Sequence, residues 1–133
     1  MSSTNRTIAL RFFEHLYAGR LDDALALLAP EAQYTVMGRS DDFPLAGKYD
    51  KGQIADLLGL ISRSVPDGAN PTITSTIAEG GAVAVIGHVE AIAASGRNYA
   101  NNFVFLVTLL QGRITRVNEY IDTQHANDVL FSK

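Results

Sequence analysis

Three short turns govern what this chain can fold into. Gly80-Gly81, Ser95-Gly96 and Gln111-Gly112 are each flanked by β-branched or aromatic residues, and such pairs between apolar runs are the strongest short-range signal for hairpins. They cut residues 72–121 into four consecutive strands, which makes an antiparallel meander. The middle strands run to about 12 residues, twice the usual length. Strands that long bend, and Gly87 is a natural place for a bulge.

Upstream the apolar period is helical. Ile8, Ala9, Phe12, Phe13, Leu16 and Tyr17 form one stripe, stopped at Gly19. A second short helix has Asp22 as its cap and ends at Pro30. Residues 32–37 read as a strand, and residues 39–48, with Asp41, Asp42, Pro44 and Gly47, read as a loop whose length and Gly/Pro content suit a lid. Asp50 and Gln53 have capping-box spacing, with Tyr49 placed to staple onto Ile54; Ile54, Leu57, Leu58 and Ile61 give the third helix its buried stripe. The order is α-α-β-α-β-β-β-β with a short polar tail. It predicts an α+β fold: a cone-shaped, curved antiparallel sheet with three N-terminal helices enclosing a pocket. The 133 residues fit a single domain spanning 1–133.

Composition narrows the partners. Eleven Lys and Arg against 14 Asp and Glu leave a net charge of -3, and the basic residues are scattered, so a nucleic-acid partner is not expected. With no cysteine, disulfides, thiolate metal sites and cysteine nucleophiles are excluded. His15, His88 and His125 lack the spacing of a metal site, so no metal is expected. No apolar run reaches the roughly 18–20 residues of a membrane span and no targeting signal opens the chain, so neither a membrane nor a compartment other than the cytoplasm is expected.

Strand alternation selects the candidate chemistry. On the last strand Val117, Glu119 and Ile121 share a face, opposite Arg116, Asn118, Tyr120 and Asp122. A carboxylate between two apolar neighbours is either a buried proton shuttle with a raised pKa or an acid at the sheet rim paired with an arginine. His88 and Glu90 share a face with Ile86 and Ile92. They either join Glu119 in an acid–imidazole–acid set or form a surface pair. Tyr34 either offers its hydroxyl to a substrate oxygen or water, or is a packed core tyrosine. A two-residue turn at Gln111-Gly112 puts Asn102, Val104 and Leu106 on the Glu119 face, making Asn102 a candidate substrate amide. His15 reads as a helix-edge residue, and His125 and Asp128 are assigned no chemistry. Both faces of residues 103–110 are apolar, which calls for a second cover; the economical one is a homodimer packed sheet against sheet, and a wrapped terminus is the alternative.

Ala18-Gly19-Arg20-Leu21-Asp22, Leu45-Ala46-Gly47, Gly96-Arg97-Asn98-Tyr99-Ala100-Asn101-Asn102-Phe103 and the ending Gly112-Arg113-Ile114-Thr115-Arg116-Val117-Asn118-Glu119-Tyr120-Ile121-Asp122-Thr123 resemble the NTF2-like (cystatin-like) superfamily, more closely its SnoaL-like, ketosteroid-isomerase-related branch. The resemblance covers nearly the whole chain. It implies that Glu119 matches the acid/base of the polyketide cyclases. Against limonene-epoxide hydrolases it matches His88-Val89-Glu90 to an Arg-x-Asp pair and Tyr34 to a water-holding tyrosine, with His in place of Arg and Val36 in place of an asparagine. Against the ketosteroid isomerases, Val36 replaces the base and Phe12 the oxyanion tyrosine, so that activity is not implied.

The leading expectation is a cofactor-free enzyme using acid/base proton transfer on a hydrophobic carbonyl, polyketide-like or epoxide substrate. Glu119, Glu90, His88 and Tyr34 are its catalytic candidates; Asn102, Val36, Val117, Ile121 and Phe12 are its substrate-binding candidates. The alternatives are a non-catalytic binding protein for an apolar metabolite, and a docking domain whose pocket is filled by its own side chains.

Overall fold

The structure, a computed structural model, describes residues 2–131. Helix α1 (Ser2–Ala18) and the short α2 (Leu21–Ala26) lead into β1 (Leu28–Val36), an edge strand β2 (Gly47–Tyr49) and α3 (Lys51–Ser64). Four long strands follow: β3 (Ala69–Glu79), β4 (Ala82–Ile92), β5 (Asn98–Leu110) and β6 (Arg113–Ile121). A short α4 (Thr123–Ala126) and a π-helical turn, Asn127–Phe131, close the described chain. The expected capping box forms: the Asp50 carboxylate accepts from the Gln53 backbone N–H and the Gln53 side chain accepts from the Asp50 N–H, both at 3.0 Å. Gln111 and Gly112 both take positive φ, 52° and 80°, as a tight primed turn between two right-twisted strands requires.

The six strands form one sheet in the order β2-β1-β6-β5-β4-β3. It is curved, as expected, but not wholly antiparallel. Strand β1 runs parallel to β6, with Tyr34 beside Val117 and Val36 beside Glu119. The crossover through α3 and the meander returns the last strand alongside the first in the same direction. Two other expectations shift. Strand β1 starts at Leu28 and passes through Pro30, and Gly47 and Lys48 at the end of the supposed loop pair with β1, together with Tyr49, as β2, a strand too short to show alternation.

Two bulges shape the meander. One lies in β3, where Thr74 is the extra residue between Ile73 and Ser75; its hydroxyl donates to the Ile86 carbonyl at 3.1 Å. Gly87 sits opposite, so the glycine permits the bulge without carrying it, and β4 keeps an unbroken register with β5. The second lies between Thr108 and Leu109 on one side and Arg116 and Ile114 on the other. Here Thr115 is the extra residue, and it reverses the alternation of β6 relative to β5 from that point on.

The helices cover one face only. Val83, Val85, Phe103, Phe105 and Val107 point inward against Phe12, Phe13, Leu16, Ile54 and Leu58, and all are buried. Phe13 lies on Phe105 with ring centroids 4.0 Å apart, and Phe12 meets Phe13 edge-on at 5.1 Å. The outer face keeps Ile77, Val104, Leu106 and Leu110 exposed.

A Cβ on Gly87 would lie 2.2 Å from the Thr72 carbonyl oxygen and 3.1 Å from the Phe103 ring. Gly87→Ala is therefore expected to destabilise the fold by about 2 kcal/mol or more. Urea unfolding measures this directly; an unchanged midpoint would mean that β3 moves away from β4 at little cost.

Candidate functional site

Between the inner sheet face and the helices lies a cavity of about 60 Å³, room for about four to six waters at roughly 10–15 Å³ each. Its walls are apolar: Leu16, Val36, Leu57, Phe105 and Ile121, closed above by Phe43, Leu45, Leu130 and Phe131. The rings of Phe43 and Phe131 are 5.8 Å apart. The 39–46 segment and the C-terminal turn thus meet over the cavity, and the tail that reads as polar supplies part of its roof.

One acid projects into this space. Glu119 sits opposite Phe105 in the ladder and lines the cavity. Its neighbour Tyr34, wholly buried on β1, donates its hydroxyl to Glu119 Oε1 at 2.5 Å. Burial raises the Glu119 carboxyl to about 7, and the Tyr34 hydrogen bond pulls in the opposite direction by favouring the charged form. The residual accessibility of Glu119, which is intermediate, belongs to a side chain that faces an apolar cavity, so desolvation still dominates. Oε2 has no hydrogen-bond partner among the described residues and is the oxygen free to exchange a proton.

Phenols surround the acid. Tyr17 and Tyr99 line the same cavity. Burial first, and then the Glu119 charge, holds the Tyr17 and Tyr34 hydroxyls well above their usual value. Tyr99 is also raised, chiefly by burial and opposed by the hydrogen bond from Asn101. All three are neutral donors. Asn101 Nδ2 donates to the Tyr99 hydroxyl at 2.9 Å and to the Asp122 carbonyl at 3.0 Å, while its Oδ1 accepts from the Asp122 N–H at 3.0 Å.

Of the residues selected from sequence, Glu119, Tyr34, Val36 and Ile121 converge here. Val117 and Phe12 are buried in the core beneath the cavity and do not line it. His88, Glu90 and Asn102 do not reach it. They project from the outer face of the sheet, Glu90 and Asn102 exposed and His88 partly so, and His88 pairs with Asn102 across β4 and β5. His88 and Glu90 share the outer face with Ile86 and Ile92, apolar residues that also turn away from the helices; for Asn102 the cause is the extra residue at Thr115. Without it a two-residue turn would set Asn102 on the Glu119 side; with it, Glu119 faces Phe105 and Val85, and the residues opposite in alternation turn outward. The same error hid Tyr99 and Asn101, while Tyr17 stood in the core stripe of α1. Among the described residues no three His, Asp or Glu side chains gather as metal ligands, and no helix is long and apolar enough to cross a membrane.

A sheet closed on one face by three helices around a single buried acid defines an NTF2-like pocket protein. The chain belongs to the SnoaL-like domain family, whose family model matches residues 9–117. Solved structures agree on the fold. An NTF2-like protein from Burkholderia xenovorans LB400 superposes with a TM-score of 0.77 at 24% identity, covering 98% of each chain. TerC, co-crystallised with polyporic acid, gives 0.83 at 19% identity over 97% of this chain and 99% of its own. A candidate SnoaL-like polyketide cyclase from Jannaschia sp. CCS1 gives 0.80 at 15% identity, covering 99% and 94%. No curated protein sequence matches the chain significantly.

The raised pKa makes a stability prediction. Between pH 4.5 and about 7 the folded chain keeps a proton on Glu119 that the unfolded chain releases, so stability falls as pH rises through this window. Glu119→Gln mimics the neutral acid and removes that loss. Its advantage over wild type is expected to grow by up to about 3 kcal/mol from pH 4 to pH 8, read from urea midpoints. An advantage independent of pH would place the carboxyl in bulk water.

Proposed function

We propose that the protein is a cofactor-free acid/base enzyme acting on a compact, apolar carbonyl compound. The observation that carries this is a single desolvated carboxyl, Glu119, held by Tyr34 at one oxygen and open to an apolar cavity at the other. A carboxyl whose pKa lies near neutrality both takes and returns protons efficiently. The ionised Oε2 takes a proton from a carbon next to the substrate carbonyl. The C–H electron pair moves into the enolate, and the same oxygen returns the proton at a second carbon or to the enolate oxygen. Nothing is consumed in this cycle. Family membership and the likeness to a candidate polyketide cyclase support the substrate class.

Epoxide opening draws no such support. The second acid and the imidazole that it would recruit, Glu90 and His88, lie on the other side of the sheet, and Val36 offers no amide to a water.

The test requires no known product. Deuterium incorporation next to the carbonyl of cyclohexanone or 2-tetralone in D2O, followed by proton NMR, is expected to exceed the uncatalysed rate and to rise with pH through about 7. Glu119→Gln is expected to lose on the order of 100-fold or more. Tyr34→Phe removes the bond that favours the carboxylate, so the rising limb moves to higher pH. Ketone binding without exchange would make the chain a binding protein, and exchange that survives Glu119→Gln would move the base elsewhere.

A second copy of the chain is the proposed partner. Ile77 is 61% exposed and Leu110 65%, and Val104, Leu106 and Ile92 extend the same apolar outer face, which no helix covers. Wild type is expected to run as a dimer in light scattering, and Leu106→Asp as a monomer with its fold intact. A wild-type monomer at micromolar concentration would remove the proposal.

A further inference from the structure

We infer that Tyr99, aimed by Asn101, is the hydrogen-bond donor that selects and fixes the substrate's oxygen. This rests on the cavity being the ligand site, and it specifies what the pocket demands of a ligand besides apolar bulk.

Donor and acceptor accounting carries the inference. Asn101 is buried, with 4% of its surface exposed, and its orientation is forced. The Asp122 N–H points at one end of the amide at 3.0 Å, so that end must be the oxygen; the flipped amide would set two donors against each other. The other end is therefore the NH2, and both of its hydrogens are used, one on the Asp122 carbonyl and one on the Tyr99 hydroxyl. The Tyr99 oxygen is thus an acceptor from Asn101. Its own hydrogen must go elsewhere, and no acceptor for it exists among the described residues.

The ring around that hydroxyl has little freedom. Tyr99 is buried, it stacks on His125 with centroids 5.4 Å apart and planes 20° apart, and it lines the cavity with Glu119 while its other edge borders a more open groove beside Gly68, Asn70 and Ala91. An unspent O–H in an apolar, desolvated wall is a costly group to leave unmatched. A ligand carrying an acceptor oxygen satisfies it; a hydrocarbon of the same shape leaves it unpaired. Discrimination by such sites is large because the unmatched polar group is buried in the wrong complex. Tyr34 cannot fill this role, since its hydrogen is spent on Glu119. The geometry also assigns polarity to the site, with a proton acceptor on β6 and a hydrogen-bond donor on β5.

The experiment compares cyclohexanone with methylenecyclohexane, which share shape and differ in the acceptor oxygen. Binding is measured by NMR titration at pH 8, where Glu119 is ionised and cannot itself donate. Wild type is expected to favour the ketone by about tenfold or more, and the infrared carbonyl band of bound cyclohexanone is expected at lower frequency than in hexane. Tyr99→Phe keeps the ring and its stacking and is expected to erase the preference and return the band upward. Asn101→Asp still accepts the Asp122 N–H but takes the Tyr99 hydrogen for itself, and is expected to do the same. Glu119→Gln is expected to keep the preference, so loss of exchange activity and loss of ketone selection are separate results. Absence of a preference in wild type overturns the inference. So does a preference that survives Tyr99→Phe, or one erased by Tyr17→Phe instead, because Tyr17 also faces the cavity.

Discussion

Glu119 is the constraint around which the rest of the structure is arranged. A carboxyl placed against Phe105 and Ile121 without a partner would cost several kcal/mol in its charged form, and the parallel pairing of β1 with β6 supplies the one neighbour that moderates this. Val36 and Glu119 are ladder partners, which sets Tyr34 within reach of Oε1. A purely antiparallel sheet, with β1 on the far edge, would leave the acid unmatched. The mixed topology thus lowers the cost of ionising a buried acid in this core, whose carboxyl is raised by burial to about 7 and drawn back by Tyr34.

Much of the fold is written in local chemistry that a sequence displays. The capping box of α3, the three turns with glycine at positive φ, and the valine and phenylalanine alternation of β4 and β5 each depend on neighbours a few residues apart. What escapes is whatever depends on long-range registration. The parallel seam joins residues 85 apart in the chain, β2 is three residues long, and the tail is tied down by distant partners, Asn101 on Asp122 and Arg97 on the Val129 carbonyl. The candidate site divides along the same line. Glu119 stands out as an acid in an apolar row whichever way β6 faces. Asn102 was assigned by counting across a hairpin, which fails where an extra residue enters one strand; His88 and Glu90 were assigned by the company of Ile86 and Ile92, which lie on the outer face with them.

The cavity is small for the bulk of apolar side chain around it, and its roof explains why. Phe43 and Phe131 come from two segments that are not part of the sheet, one before β2 and one at the end of the described chain. The floor, made of sheet and helices, is fixed by continuous packing, whereas the roof rests on ring contacts and a few backbone bonds. A ligand larger than the enclosed volume would be accommodated by displacing these two rings, and the floor with its acid and phenols would keep its geometry.

The extra residue at Thr115 has a consequence for anyone who compares this chain with its relatives. It is a single position, with a hydroxyl that bonds to the Thr108 carbonyl at 3.2 Å, yet it determines which half of β6 is wet and which is dry. A gap slid by one place through this hairpin exchanges Glu119 for Asn118 or Tyr120 in the column of the acid. Conservation at the reacting position would then vanish from the alignment while persisting in space. Homologues of this kind are best matched strand by strand, by the pair that each residue makes across the ladder, and not by distance along the chain from the turn.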